Sequence, residues 1–179
     1  SGIHRVSEPL SVGIPFAKGQ HPAGTSFQIK DANSHSVPAA FKSLCHWPDG
    51  SVRWALAEFL YSLNPHQVET LTVSEQPSPE VSVTGIAQTP RGWTIPTEIG
   101  DFLLHKGRPL WEFSGVTSPI TTEAKLTSKG GLPCHPVANG DWEIQHQNPV
   151  YVEASLSGHW IPADEARLAD FSCRLRIYL

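Results

Sequence analysis

The segment LCHWPDGSVRW, residues 44–54, places a Trp-Pro-Asp-Gly-Ser turn between two apolar runs. Pro48 presets its φ angle near about −65°, which suits the first corner of a tight turn. Asp49 tolerates the bridge or left-handed region, and its carboxylate can cap the N–H of Ser51. Gly50 adopts a positive φ without the steric penalty of a Cβ atom. The segment therefore predicts a tight turn whose conformation is set by its own residues.

Two apolar arms flank this turn, residues 37–47 and residues 51–61, and both are rich in aromatic and aliphatic side chains. A tight turn between two such arms predicts an antiparallel β-hairpin. Trp47 and Trp54 lie on either side of the turn. Core packing is favoured for both over stacking on a sugar, because buried indoles commonly pin a turn. A structural role in the turn is assigned to Trp47, Pro48, Asp49, Gly50, Arg53 and Trp54.

The composition favours a β-rich protein built from many short elements. The chain has 179 residues, of which 17% are charged, and it contains 16 prolines and 14 glycines. Frequent turn-forming residues favour short strands over long helices. The formal net charge is −4 and the basic residues are scattered, so we expect no nucleic-acid partner. No apolar run approaches the roughly 20 residues of a membrane span, so we expect no membrane partner.

Short alternating runs predict about five strands before residue 76 and more after it, so the predicted fold class is all-β and mostly antiparallel. Residues 76–80 carry two prolines and form a linker candidate or an extended edge connection inside one domain. The pattern predicts a Gly/Pro-rich loop at residues 128–140 and favours a short helix at residues 162–169. Residues 174–179 alternate as a half-buried strand, which indicates either a truncation or the last strand of a sheet.

No motif for metal binding or catalysis is present in the sequence. The nine histidines show no His-x-His or His-x-x-x-His spacing. Cys134 and His135 are adjacent, and neighbours in an extended chain point in opposite directions. The sequence also lacks a Gly-x-Ser-x-Gly elbow, a Walker loop and a dinucleotide fingerprint. We therefore expect no metal, no cofactor and no catalytic residue in this chain.

The cysteines Cys45, Cys134 and Cys173 are too few and too widely spaced for a disulfide framework. Cys45 and Cys173 lie in strand-like apolar runs, where a small buried thiol is the ordinary case. We expect both in the core. One disulfide is an alternative, and the sequence does not indicate which two cysteines would form it.

Two charged residues of the hairpin invite a chemical role. Asp49 is the most tempting catalytic acid, but an aspartate in a Pro-Asp-Gly turn already has a complete structural function. Arg53 either pairs with an acid such as Asp49 or Glu58, or faces a groove. The ion pair is the favoured interpretation.

Three spaced signatures resemble a known family: residues 13–19 (GIPFAKG), residues 27–29 with residues 37–40 (FQI and VPAA), and residues 47–54 (WPDGSVRW). Together they resemble the N-terminal RIFT-barrel domain of PcRGLX/YetA-like proteins, a family that includes exo-rhamnogalacturonan lyases. The resemblance covers residues 8–75. Weaker similarity at residues 93–104, 110–111, 148–158 and 170–178 points to the opening strands of the β-sandwich that follows the barrel in such proteins.

The resemblance implies a RIFT-barrel-like domain at residues 1–76 and a β-sandwich-like segment at residues 77–179, cut before the catalytic part. In the lyases, catalysis lies in the large later portion, and none of its residues can be carried onto this chain. The implied function is a non-catalytic scaffold or accessory carbohydrate-contacting module of a larger lyase-like protein. The implied location is extracellular or periplasmic. The implied partners are a pectic or other polysaccharide and the downstream domains of the same protein.

Two other hypotheses stay open beside this one. The first is a structural or assembly module of a cell-surface or phage-tail protein without sugar binding, and the second, least favoured, is a complete small enzyme. A flat exposed aromatic platform favours sugar binding, whereas a free hydrophobic edge favours assembly. Trp111 and Trp160 are the predicted sugar contacts because each lies beside a loop, although core packing is the favoured role for both.

Overall fold

The structure of this protein, a computed structural model, describes residues 2–76, 85–115, 119–163 and 168–179, apart from the side chain of Glu123. The described residues form sixteen strands and no helix, and their pairings are antiparallel, which confirms the predicted all-β class. The strands are β1 Arg5–Pro15, β2 Phe27–Lys30, β3 Ser36–Val37, β4 Ala39–His46, β5 Val52–Leu63, β6 Thr72–Glu75, β7 Ala87–Thr89, β8 Gly92–Thr97, β9 Gly100–His105, β10 Leu110–Gly115, β11 Ile120–Glu123, β12 Leu126–Thr127, β13 Pro133–Ala138, β14 Glu143–Gln147, β15 Tyr151–Pro162 and β16 Ala169–Tyr178.

The chain divides into two compact units, Ser1–Ser82 with Asn148–Val150, and Val83–Gln147 with Tyr151–Leu179. The predicted boundary between residues 76 and 77 adjoins residues 77–84, which lie outside the described residues. The predicted domains therefore stay a prediction.

The first unit contains two three-stranded sheets, ordered β1-β5-β4 and β3-β2-β6. On β5, Phe59 pairs with Leu10 of β1 and with Ala39 of β4, so the three side chains lie on one face of the sheet. That face packs into a core with Ile29 and Val37 of the other sheet. Period-two alternation along the strands thus separates a core face from an outer face.

The second unit contains two sheets that share one core. One sheet has the order β11-β10-β9-β8-β7, and the other has the order β12-β13-β15-β14 with β16 on the far side of β15. Leu104 of the first sheet and Val152 of the second are fully buried in the same cluster. Trp142 joins them: its indole N–H donates to the carbonyl of Arg108 at 2.9 Å, and its own carbonyl accepts from the indole of Trp93 at 2.9 Å. This packing is that of a β-sandwich.

Two local predictions are wrong. Residues 37–47 do not form one strand, because Pro38 lacks an N–H and separates β3 from β4. Residues 128–140 are not a continuous loop, since β13 pairs with β15 from Cys134 to Ala138. β12 pairs with β13 only at Pro133 and Cys134, so the strand has a single paired edge at Pro136 and tolerates a residue without an N–H there.

The predicted short helix and the predicted linker both include residues outside those described. Pro162 ends β15 and Ala169 begins β16, and residues 164–167 of the predicted short helix are not described. Most of the predicted linker, residues 77–80, is likewise not described. Within the described part of the chain, no helix has the length and apolar character needed to cross a membrane.

All three cysteines are free, but their burial differs from the expectation. Cys45 is exposed, because the register of β4 against β5 shifts on both sides of it and takes the edge strand out of the regular pleat. The prediction of a buried Cys45 is therefore wrong. Cys173 is half-buried, and this burial raises the pKa of its thiol.

Candidate functional site

The hairpin turn adopts the predicted conformation. Gly50 has a φ of 84°, and its N–H donates to the carbonyl of Trp47 at 2.9 Å. The N–H of Trp47 donates to the carbonyl of Ser51 at 2.8 Å. Asp49 Oδ1 accepts from the hydroxyl of Ser51 at 2.6 Å and from its N–H at 3.0 Å. These bonds, the hydroxyl bond first, lower the pKa of the Asp49 carboxyl. Asp49 thus has the structural role that the sequence predicts.

The turn is bonded to the loop that follows β1. The indole N–H of Trp47 donates to the carbonyl of Phe16 at 3.1 Å, and the N–H of Phe16 donates to the carbonyl of Arg53 at 2.9 Å. The N–H of Gly19 donates to the hydroxyl of Ser51, also at 2.9 Å. Two of the three signature segments, residues 13–19 and residues 47–54, are therefore neighbours in space.

Arg53 does not form the predicted ion pair. Its guanidinium carbon lies 4.6 Å from the centroid of the Trp47 ring, which is a cation–π contact. Within the described part of the chain, no carboxylate lies at salt-bridge distance from Arg53. The carboxylate of Asp49, one of the expected partners, is bonded to Ser51 instead.

Trp54 is the aromatic residue whose position differs most from the expectation. It is 39% exposed, so the predicted core packing is wrong for this residue, whereas Trp47 is half-buried. A Cβ atom on Gly13 would lie 3.5 Å from Cζ3 of Trp54, which means that the six-membered ring lies over the glycine. Trp54 pairs with Pro15 of β1 and with Cys45 of β4.

These residues form one outer surface of the sheet β1-β5-β4. Gly13 pairs with Leu56 and Leu56 with Lys42, so Lys42 lies on the same face two positions from Trp54 and is exposed. We call this surface, made of Gly13, Pro15, Lys42, Cys45 and Trp54, the Trp54 face. An exposed indole can stack on the C–H face of a pyranose, and an ammonium group can donate hydrogen bonds to hydroxyl or carboxylate oxygens.

The two predicted sugar contacts lie on core faces instead. Trp160 is 7% exposed, and its ring centroid lies 5.6 Å from that of Phe171. Trp111 is half-buried, pairs with Leu104, and lies 5.6 Å from the ring of Phe102. Neither indole has the exposed position beside a loop that the prediction assumed. Their role in ligand binding stays a prediction, and the burial of Trp160 argues against it.

Two signals in the sequence indicate the burial of Trp160 and the contact between Trp54 and Gly13. Trp160 has the same parity as the buried Val152, Ala154 and Leu156 of β15, so strand alternation alone places it inward. Gly13 within a strand is a further signal, because a glycine there often marks the close approach of another group. The described residues contain no group of three or more His, Cys, Asp or Glu side chains that could hold a metal ion.

Comparison with known proteins places the first unit. The family model for the PcRGLX-like N-terminal RIFT barrel domain matches residues 3–75. Residues 3–75 are thus similar to the RIFT barrels of this family. The RIFT barrel therefore includes β1 to β6, the hairpin turn and the whole Trp54 face.

One curated relative is similar to part of the chain. The uncharacterized protein YetA of Bacillus subtilis (strain 168) is 25% identical over 84 residues, which are 47% of this chain. The match spans 10% of the length of YetA, so this chain is similar to a small part of a much longer protein. No solved structure matches the chain significantly.

Proposed function

We propose that this chain is the non-catalytic β-rich N-terminal part of a larger polysaccharide-acting, rhamnogalacturonan lyase-like protein, and that its RIFT barrel contacts carbohydrate through the Trp54 face. The observation that carries the sugar contact is the exposed indole of Trp54 lying over Gly13. The family model over residues 3–75 and the match to only 10% of the length of YetA support a module of a larger protein. The proposed partners are a pectic or other polysaccharide and the downstream domains, in an extracellular or periplasmic location.

The Trp54 face suits a saccharide for a simple physical reason. An indole resting on a backbone has little rotational freedom to lose when a pyranose stacks on it. Lys42, exposed on the same face, supplies donors for the hydroxyl or carboxylate oxygens at the edge of the sugar. A single aromatic platform without a deep pocket predicts weak binding, with a Kd of about a millimolar.

Titration with pectic oligosaccharides, followed by tryptophan fluorescence, tests this proposal. We expect the parent chain and Trp111→Ala to bind, and Trp54→Ala to lose binding while keeping its melting temperature. Trp111→Ala is the matched control, because it removes an indole from a core face and lowers stability instead. Binding that survives in Trp54→Ala, or that disappears only in Trp111→Ala or Trp160→Ala, would contradict the proposal.

A second variant changes the platform without removing the indole. Gly13→Val adds methyl groups beyond a Cβ that already lies 3.5 Å from the ring, so Trp54 must move. Gly13→Ala places only that Cβ at ordinary contact distance and serves as the control. We expect Gly13→Val to weaken sugar binding and Gly13→Ala to retain it. Equal binding by both variants would show that the position of the indole is irrelevant.

An assembly role without sugar binding is the second candidate, and one observation favours it. Leu44 of the edge strand β4 is 53% exposed, and exposed apolar edges promote pairing between chains. Light scattering over a range of concentrations tests this role. Self-association that is abolished by Leu44→Lys, together with absent sugar binding, would favour assembly over carbohydrate contact.

A further inference from the structure

In the second unit, the outer face of the sheet β11-β10-β9-β8-β7 carries a groove that the proposed function does not use. Its volume is about 600 Å³, within the range of about 300–1,000 Å³ that is typical of small-molecule sites. Thr94, Leu103 and Glu112 form one cross-strand row, and Asp101 and Ser114 form the next. All five residues line the groove, together with Arg91 from the turn between β7 and β8.

Glu112 is the fixed polar group of this groove. His105 Nε2, a buried atom, lies 3.0 Å from Glu112 Oε1, and a guanidinium nitrogen of Arg91 lies 3.4 Å from Oε2. The side chain of Arg91 is 68% exposed, so its guanidinium has donors that the loose contact with Glu112 does not occupy. A carboxylate beside a guanidinium can bind two vicinal hydroxyls, accepting a hydrogen bond from one and donating to the other.

The spacing of the two rows matches the size of one sugar ring. Rows on one face of a sheet are about 7 Å apart along the strands, so Glu112 and Ser114 can contact opposite edges of a pyranose. Leu103 lies between Thr94 and Glu112 in the first row and supplies apolar surface beneath the ring. The hydroxyl of Ser114 donates to the carbonyl of Asp101 at 3.3 Å, which leaves its lone pairs to accept from the ligand.

The charge of the groove distinguishes neutral sugars from acidic ones. Asp101 and Glu112 are two carboxylates, and Arg91 is the one Lys or Arg among the described residues that line it. A ligand carboxylate about 6 Å from the uncompensated negative charge is repelled even in water. We propose that this groove is a binding site for a neutral saccharide of one or two pyranose rings, and that it discriminates against uronates. The site uses none of the residues of the Trp54 face.

Nitrogen-15 NMR titration of the whole chain tests the inference with two probes that differ at a single carbon, methyl β-glucoside and methyl β-glucuronide. We expect the glucoside to shift the backbone amides of β8, β9 and β10, and to bind at least about threefold more tightly than the glucuronide at low salt. Cellobiose, with two rings, should bind more tightly than the monosaccharide. Glu112→Gln should weaken glucoside binding at least about fivefold while keeping the melting temperature.

Asp101→Asn and Trp54→Ala complete the design. Asp101→Asn removes one negative charge and should bring the affinities of glucoside and glucuronide closer together. Trp54→Ala should leave the shifts of β8 to β10 unchanged, so failure of the Trp54 proposal and failure of this one are separable. No shift at about 50 mM glucoside, binding unaffected by Glu112→Gln, or tighter binding of the glucuronide would overturn the inference.

Discussion

The indole N–H of Trp47 donates a 3.1 Å hydrogen bond to the backbone carbonyl of Phe16. The same ring lies beneath the guanidinium of Arg53, and the carbonyl of Arg53 accepts from the N–H of Phe16. Three residues from two distant segments of the chain thus form a closed set of contacts. This set holds the hairpin turn against the loop after β1, and it joins two of the segments that carry the resemblance to the RIFT barrel.

We expect Trp47→Phe to destabilise the fold by about 1–2 kcal/mol, because it removes the indole donor from a part-buried carbonyl and shrinks the ring beneath Arg53. The free energy of unfolding in urea measures the effect. Trp54→Phe is the control, since an exposed ring over Gly13 should change stability by no more than about 0.5 kcal/mol. Equal losses of unfolding free energy in the two variants would show that the hydrogen bond to Phe16 does not stabilise the fold.

Replacement of Gly50 by Val should destabilise the fold by more than about 1 kcal/mol, because a β-branched residue is strained at a φ of 84°. The space around the position is open, so strain of the backbone is the cause and no steric clash contributes. Gly140→Val is the matched control, since Gly140 is also in open space but has no positive φ. A melting temperature that Gly50→Val leaves unchanged would show that the turn tolerates side chains.

The stability of the first unit should fall at alkaline pH through Tyr61. Burial, with the nearby Glu69 carboxylate as a second cause, raises the pKa of Tyr61 from 10.0 to about 12. Because this pKa is higher in the folded state, Tyr61 makes its full contribution to stability below pH 10. This contribution is lost as the pH rises toward about 12. Denaturation curves between these limits should show a decline that is smaller in Tyr61→Phe. An identical decline in both proteins would assign it to other groups.

The chain by itself should show no lyase activity on rhamnogalacturonan, because its sequence offers no base beside a group of cations that could neutralise a uronate carboxylate. The ultraviolet absorbance of the unsaturated product is the measurement. A rhamnogalacturonan lyase assayed in parallel is the positive control. Product that forms with the purified chain and is lost in a point variant would make it an enzyme.

Burial of the tryptophans shows where sequence reasoning is incomplete. Both faces of β5 carry apolar residues, Ala55 and Phe59 on one side and Trp54 and Leu56 on the other, so alternation identifies two faces without saying which is inside. Only the packing against β2 and β3 selects the side of Phe59 as the core. For Trp160, parity with the other inward residues of β15 is sufficient to predict burial, and proximity to a loop is the weaker signal.

The residues of the candidate sites could not be predicted from local sequence patterns either. Arg91, His105 and Glu112 are spread over 22 residues of sequence and lie in no motif, and they meet because β8, β9 and β10 are adjacent strands. Trp54 and Gly13 are 41 residues apart and meet through the register of β1 against β5. Register and strand order depend on the whole sheet, so a local pattern does not contain them.

The sequence by itself determined the all-β class, the hairpin turn at Pro48 to Ser51 and the RIFT-barrel resemblance of residues 8–75, because each depends on local backbone preferences or on matching segments in a fixed order. Tertiary structure alone decided that Trp54 and Cys45 are exposed, that Arg53 contacts Trp47, and that Pro133 to Ala138 form a strand. The physical reason is that burial and pairing are properties of facing surfaces, and these surfaces exist only when distant strands meet.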